Sequence, residues 1–218
     1  MIKHHPTKEL LVKFAEGDLP ASLAAAVAVH VDMCPKCAEI VAEASEQNAF
    51  EAFEMPEADT QLDALSITDM IDAITASEEI AITVDRKEKH ISVKGQDYKL
   101  PTALTNMAMG SWTSLGKLAR ARFDVEEGPL HASLLQIQPG GTVPEHTHKG
   151  FELTLLLDGY FEDEMGTYGP GDFIMLDGEH THNPTTENGC LCYTVADDAL
   201  HFTQGFNKLL NPIGSLIY

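Results

Sequence analysis

Two groups of residues in this chain have the types and spacing to hold a metal ion. The first is His30, Cys34 and Cys37, an H-x-x-x-C-x-x-C run. On a helix, positions 30 and 34 lie on one face, and Cys37 follows one turn later. One imidazole and two thiolates suit zinc, which completes a structural site with a fourth ligand in a tetrahedron. His4 or His5 can supply that ligand if the N-terminal segment folds back. The second group is His146, His148 and Glu152. Two apart on an extended strand, the histidines share a face, and Glu152 on the next strand adds an oxygen. This set fits zinc, manganese, iron or nickel without choosing between them. No acid–base pair stands out beside it. Cys190 and Cys192 alternate on an expected strand and face one side. Small buried core residues are the commoner reading of such a pair; thiols open to oxidation near the metal are the functional one.

The residues from Gly140 to Gly159 read G-x5-H-x-H-x3-E-x6-G, which resembles the first cupin motif at every fixed position. A second cupin motif usually adds a histidine after a Gly-Asp turn. Here Gly171-Asp172 leads toward Asp177-Gly178-Glu179-His180-Thr181-His182, with Asp177 where proline is usual. Counting from Asp177 gives His182 as the fourth ligand and leaves His180 as the alternative. His5 followed by His30-x-x-x-Cys34-x-x-Cys37 resembles the zinc-binding anti-sigma domain of bacteria. Those domains pack three helices around zinc and use a looser fourth helix to clasp an extracytoplasmic-function sigma factor.

Taken together, the two halves resemble the ChrR family of anti-sigma factors along nearly the whole chain, with Ser77 to Met107 poorly anchored by motif. The resemblance implies structural zinc at His5, His30, Cys34 and Cys37. It also implies a cupin metal at His146, His148, Glu152 and His182, zinc first, with manganese, iron or nickel as alternatives. The implied function is inhibition of a sigma factor and its release under oxidative stress, singlet oxygen in particular, with no enzymatic activity and an oxidant or small-molecule signal at the cupin. The rival is a cupin dioxygenase or isomerase with a helical accessory domain.

The periodicity and the resemblance together imply a two-domain α+β chain: an all-α zinc-binding domain over 1–78, a connecting segment with possible strands over 79–107, and an all-β cupin barrel or jelly roll over 108–218. Thr7 is a cap for a first helix ending at Gly17, and Asp18-Leu19-Pro20 reads as the cap of a second running to Met33. A third runs from Cys34-Pro35 toward Phe53, stopped by Pro56. Ile67, Met70, Ile71 and Ile74 keep the i, i+3, i+4, i+7 pattern of a fourth. After Ile80 the period changes to two. Ile82-Thr83-Val84 and Ile91-Ser92-Val93 read as strands, with a turn at Lys94-Gly95-Gln96-Asp97, and further short runs recur between glycine-rich turns.

Fourteen Lys and Arg oppose thirty-four Asp and Glu, a net charge of −20. Such a chain is repelled by phosphate backbones, so direct nucleic-acid binding is not expected. Ala38 to Glu79 holds twelve carboxylates and no Lys, Arg or His, a surface suited to a basic partner. No targeting segment and no apolar stretch near bilayer length is found, so a soluble, cytoplasmic protein away from membranes is expected.

Overall fold

The computed structural model describes residues 1–54, 64–77, 88–147, 150–197 and 201–202. Helix α1 (Lys8–Glu16) starts where the Thr7 hydroxyl accepts the Leu10 N–H and stops at Gly17, whose φ of 74° closes the last turn. Helix α2 spans Ala21–Met33. Its N-terminal cap differs from the sequence reading: Asp18 does not cap it, and Pro20 at the N-cap offers no side-chain bond. The Glu127 carboxylate, more than a hundred residues later, accepts the N–H groups of both Ala21 and Ser22. A carboxylate there satisfies orphan donors and meets the positive end of the helix dipole.

Helix α3 (Pro35–Glu54) begins on a proline, which a first helical position tolerates. Helix α4 (Ala64–Ala76) carries the expected apolar face, and that face is open to solvent: Ile67, Met70, Ile71 and Ile74 are 40%, 61%, 54% and 67% exposed. Pro56 and the expected strand Ile82–Val84 lie outside the described residues.

Strands β1 (His90–Val93) and β2 (Gln96–Lys99) form a hairpin closed at Lys94-Gly95, both at positive φ. The turn is therefore tighter than the four residues read from the sequence, and Gln96 and Asp97 belong to the strand. The cupin-like part follows as β3 (Thr113–Leu115), β4 (Leu118–Arg122), β5 (His131–Ile137), β6 (Gly141–Thr142), β7 (His146–Thr147) and β8 (Phe151–Gly159). It continues through β9 (Phe161–Asp163), β10 (Gly166–Tyr168), β11 (Phe173–Asp177), β12 (Thr181–His182), β13 (Thr185–Thr186), β14 (Cys190–Ala196) and β15 (His201–Phe202). Six strands pair in the order β11-β8-β14-β5-β4-β3, four as β10-β9-β13-β6, and three as β12-β7-β15.

All seven residues of β14 are buried, because both faces of this central strand are covered. Cys190 and Cys192 join Ile137, Val143, Leu156 and Phe161 in the barrel core. Leu191, Tyr193 and Val195 point the other way, into a core shared with Leu11, Ala26, Val29 and Cys34 of the helices. The helical and cupin parts thus share one apolar core. The Tyr193 hydroxyl crosses that junction to donate to the Ser22 carbonyl at 3.0 Å. Tyr193→Phe is expected to lower unfolding free energy by about 1 kcal/mol with the fold retained, read from urea denaturation.

Candidate metal centres

The end of α2, the start of α3 and the N-terminal arm meet at one point. Cys34 is not within the helix that carries His30. It is the C-cap of α2, with extended backbone, and its carbonyl accepts the N–H groups of Cys37 and Ala38 to open α3. This bend brings Cys37 onto His30. The arm adds His5, so that His5, His30, Cys34 and Cys37 each offer a donor atom, all within 4.8 Å of one another. His4 goes elsewhere, its ring packed on Tyr168 with centroids 4.9 Å apart.

The spacing of these donors fits a tetrahedral ion. His5 Nδ1 lies 3.4 Å from His30 Nε2, 3.4 Å from Cys34 Sγ and 3.5 Å from Cys37 Sγ; His30 Nε2 lies 3.3 Å from Cys37 Sγ. Zinc–sulfur bonds of about 2.3 Å and zinc–nitrogen bonds of about 2.0 Å give tetrahedral edges of roughly 3.3–3.8 Å. His30 is fully buried, and its Nδ1–H donates to the Gly171 carbonyl at 2.7 Å. Because a carbonyl only accepts, the proton is fixed on Nδ1 and the Nε2 lone pair faces the thiols. Burial holds the His30 imidazole below its usual pKa, favouring the neutral, ligating form. Burial, with the neighbouring Cys34 thiol, pushes Cys37 up to about 11, so a metal arriving there must displace a proton.

A second cluster gathers His146 from β7, Glu152 from β8 and His182 from β12. His182 Nε2 lies 2.9 Å from His146 Nε2 and 3.5 Å from a Glu152 oxygen. His146 donates from Nδ1 to the Pro144 carbonyl at 2.8 Å, which turns its Nε2 inward. His148 lies outside the described residues. His180 is at the surface, with Nδ1 2.6 Å from Asp177. Of the two histidines that the sequence left open, His182 therefore joins the cluster and His180 does not; β12 begins only at Thr181.

Behind His182 stands a residue with no sequence signal, Asp163, one of four consecutive positions containing three acids. Its side chain is 2% exposed and its Oδ2 lies 3.5 Å from His182 Nδ1. The N–H groups of Met165 and Gly166 and the Tyr168 hydroxyl all donate to Asp163 Oδ1. Burial works to lower the His182 pKa, but the Glu152 and Asp163 carboxylates outweigh it and raise the value.

The cluster opens into a cavity of about 100 Å³ walled mainly by apolar side chains, among them Phe161, Ile174 and Leu176. Cys192 also lines it, and its contact with the Cys190 thiol, together with burial, holds its own thiol protonated. This donor set, in a cavity walled mainly by apolar side chains, fits a divalent metal. Asp163→Ala is expected to weaken metal retention at this cluster by about 10- to 100-fold. His180→Ala should leave retention unchanged, and chelator competition with metal analysis checks both.

The chain can now be set beside known proteins. The family profile of the ChrR cupin-like domain matches residues 102–199. The anti-sigma-E factor ChrR of Cereibacter sphaeroides is 32% identical over 219 positions, covering 97% of each chain. A crystal structure of Rhodobacter sphaeroides SigE in complex with the anti-sigma ChrR matches with a TM-score of 0.66 at 28% identity, over 90% of this chain and 100% of that one. The likeness runs through the helices, the arm and the barrel alike, and the chain belongs to the ChrR family of anti-sigma factors.

Proposed function

We propose that this chain is an anti-sigma factor that binds and inhibits an extracytoplasmic-function sigma factor and releases it under oxidative stress. The observation that carries the reading is the full-length likeness to an anti-sigma factor whose structure was solved with its sigma factor bound. The division of labour follows the expected boundaries: sigma binding by 1–78, a connector over 79–107, and signal response by 108–218.

Structural zinc at His5, His30, Cys34 and Cys37 holds the arm, α2 and α3 in one docking body. A second divalent metal, zinc first, with manganese, iron or nickel as alternatives, is held at His146, His148, Glu152 and His182. An oxidant or small molecule acts at that cupin centre. The cytoplasm, where sigma factor and polymerase meet, is the site of action.

The docking surface is apolar and acidic. Phe50 and Phe53 on α3 and Met70, Ile71 and Ile74 on α4 are exposed large side chains on helices rich in carboxylates. Exposed apolar faces of this size favour a protein partner, and the acids complement the basic DNA-contacting surfaces of a sigma factor. Release cannot be a small effect: reversing 99% occupancy to 1% needs about 5.5 kcal/mol of differential interaction. Degradation of the released inhibitor would reduce that requirement. A full-length likeness to an anti-sigma factor does not favour the dioxygenase or isomerase alternative.

In transcription reconstituted with polymerase and the cognate sigma factor, stoichiometric full-length protein should suppress transcripts. Ile71→Glu, a surface change, should leave the fold intact and weaken sigma binding at least about tenfold, which is about 1.4 kcal/mol. Undiminished transcription in the presence of folded, metal-loaded protein would sink the proposal.

A further inference from the structure

We propose that the barrel turn Gly171-Asp172 is the outer shell of the N-terminal metal site, with Asp172 the positioning residue that pins the arm carrying His5. This rests on the reading of His5, His30, Cys34 and Cys37 as metal ligands. Three consecutive barrel residues grip the site. The Gly171 carbonyl accepts His30 Nδ1–H at 2.7 Å. Asp172 Oδ1 accepts the N–H groups of Lys3 at 2.6 Å and His4 at 2.9 Å. The Phe173 N–H donates to the His4 carbonyl at 3.1 Å, and its ring meets the His30 imidazole edge-on.

These backbone bonds join the His4 ring on Tyr168 and the Ile2 side chain on the core in holding the arm. Residues 1–6 belong to no helix or strand, so the position of the His5 ring depends on what holds Lys3 and His4. Metal ligation tolerates displacements of only a few tenths of an ångström, and partners beyond the ligands commonly decide whether an ion is held. Asp172 is 3% exposed, and its second oxygen has a different task, accepting the Gly169 N–H at 2.8 Å within the turn. Burial pushes its carboxyl up, but the N–H donors of Gly169, His4 and Lys3 outweigh this and hold it below the usual value, as an ionised acceptor. Gly171 sits at φ 89°, and a Cβ there would meet the Ile2 side chain at 2.5 Å, so the arm lies directly on the turn.

The turn is also tied to the second cluster. Gly171 N–H donates to the Leu156 carbonyl and Leu156 N–H to the Asp172 carbonyl, on β8, the strand that carries Glu152. Glu152 itself pairs with Leu176 of β11. A shift of β8 and β11 at the barrel metal would thus move the groups that hold His5 and His30.

The test uses the full chain and separates the two oxygens of Asp172. Lys3→Pro deletes one of the two arm N–H groups that Asp172 accepts and leaves the turn untouched; Lys3→Ala keeps that N–H and removes only the side chain. Asp172→Ala removes both acceptors, while Asp172→Asn keeps Oδ1 for the arm and disturbs the Gly169 cap. Zinc transfer to a chelator is followed together with alkylation of Cys34 and Cys37 mapped by mass, and thermal unfolding monitors the barrel. Lys3→Pro and Asp172→Ala are expected to release zinc about 10- to 100-fold faster. Lys3→Ala and Asp172→Asn should stay near the parent rate, the latter with a lower melting temperature. If Lys3→Pro and Asp172→Ala both release zinc at the parent rate, or if Asp172→Asn releases it as fast as Asp172→Ala, the carboxylate serves only its own turn and the proposal falls. Zinc-free parent protein with both thiols already reactive is a different signature, and it would overturn the metal reading beneath.

Discussion

A fully buried imidazole must have both nitrogens satisfied, and His30 is such a group. One nitrogen is taken by the Gly171 carbonyl of the barrel, and the other faces His5 and Cys37. An unpaired polar atom at this depth would cost about 1–3 kcal/mol. That single requirement fixes the rotation of α2, seats its C-terminal end against the barrel, and aims the ring at the point where two thiols and a second imidazole converge. The arm, the bend at Cys34 and the first turn of α3 are organised around it.

The composition of α2 permits this seating. Its sequence, ASLAAAVAVHVDM, is apolar on nearly every side, as suits a helix packed against neighbours on more than one face. It lies between the other helices and β14, and its alanines let the helix approach the sheet closely. Ala25, Ala26, Val27 and Val29 are buried in the same core as Leu153, Leu155 and Val195. At its two ends the barrel side supplies polar partners that α2 lacks: Glu127 at the N-terminus and Gly171 at His30. A helix that could not stand alone is held by the domain that follows it.

The far end of the helical part obeys the opposite rule. Beyond Cys37, α3 has no fully buried residue, and α4 shows its apolar stripe to solvent. A chain that packs α2 into the shared core while leaving Phe53, Met70 and Ile74 exposed has two kinds of helix: one anchored by its own fold, the other with an apolar face open to solvent. The carboxylates along α3 and α4 help to keep those apolar faces in solution.

What the sequence determined was local. Spacings inside one element are set by helix and strand geometry, so Thr7 and Gly17 marked a helix, the alternation through Ile91-Ser92-Val93 and the short runs of β5 and β14 between glycine turns marked strands, and the donor types in both clusters were legible before any fold was known. Docking between distant segments was not legible, because no local period records it. Spacing left His4 open beside His5 and His180 open beside His182; the fold brings in His5 and His182, the residues that the resemblance implied, and it alone decided that Lys94-Gly95 makes the tight turn. It alone placed Glu127, Asp163 and Asp172. Each is an acid in a chain full of acids, and only burial against a specific donor sets it apart from its solvated neighbours.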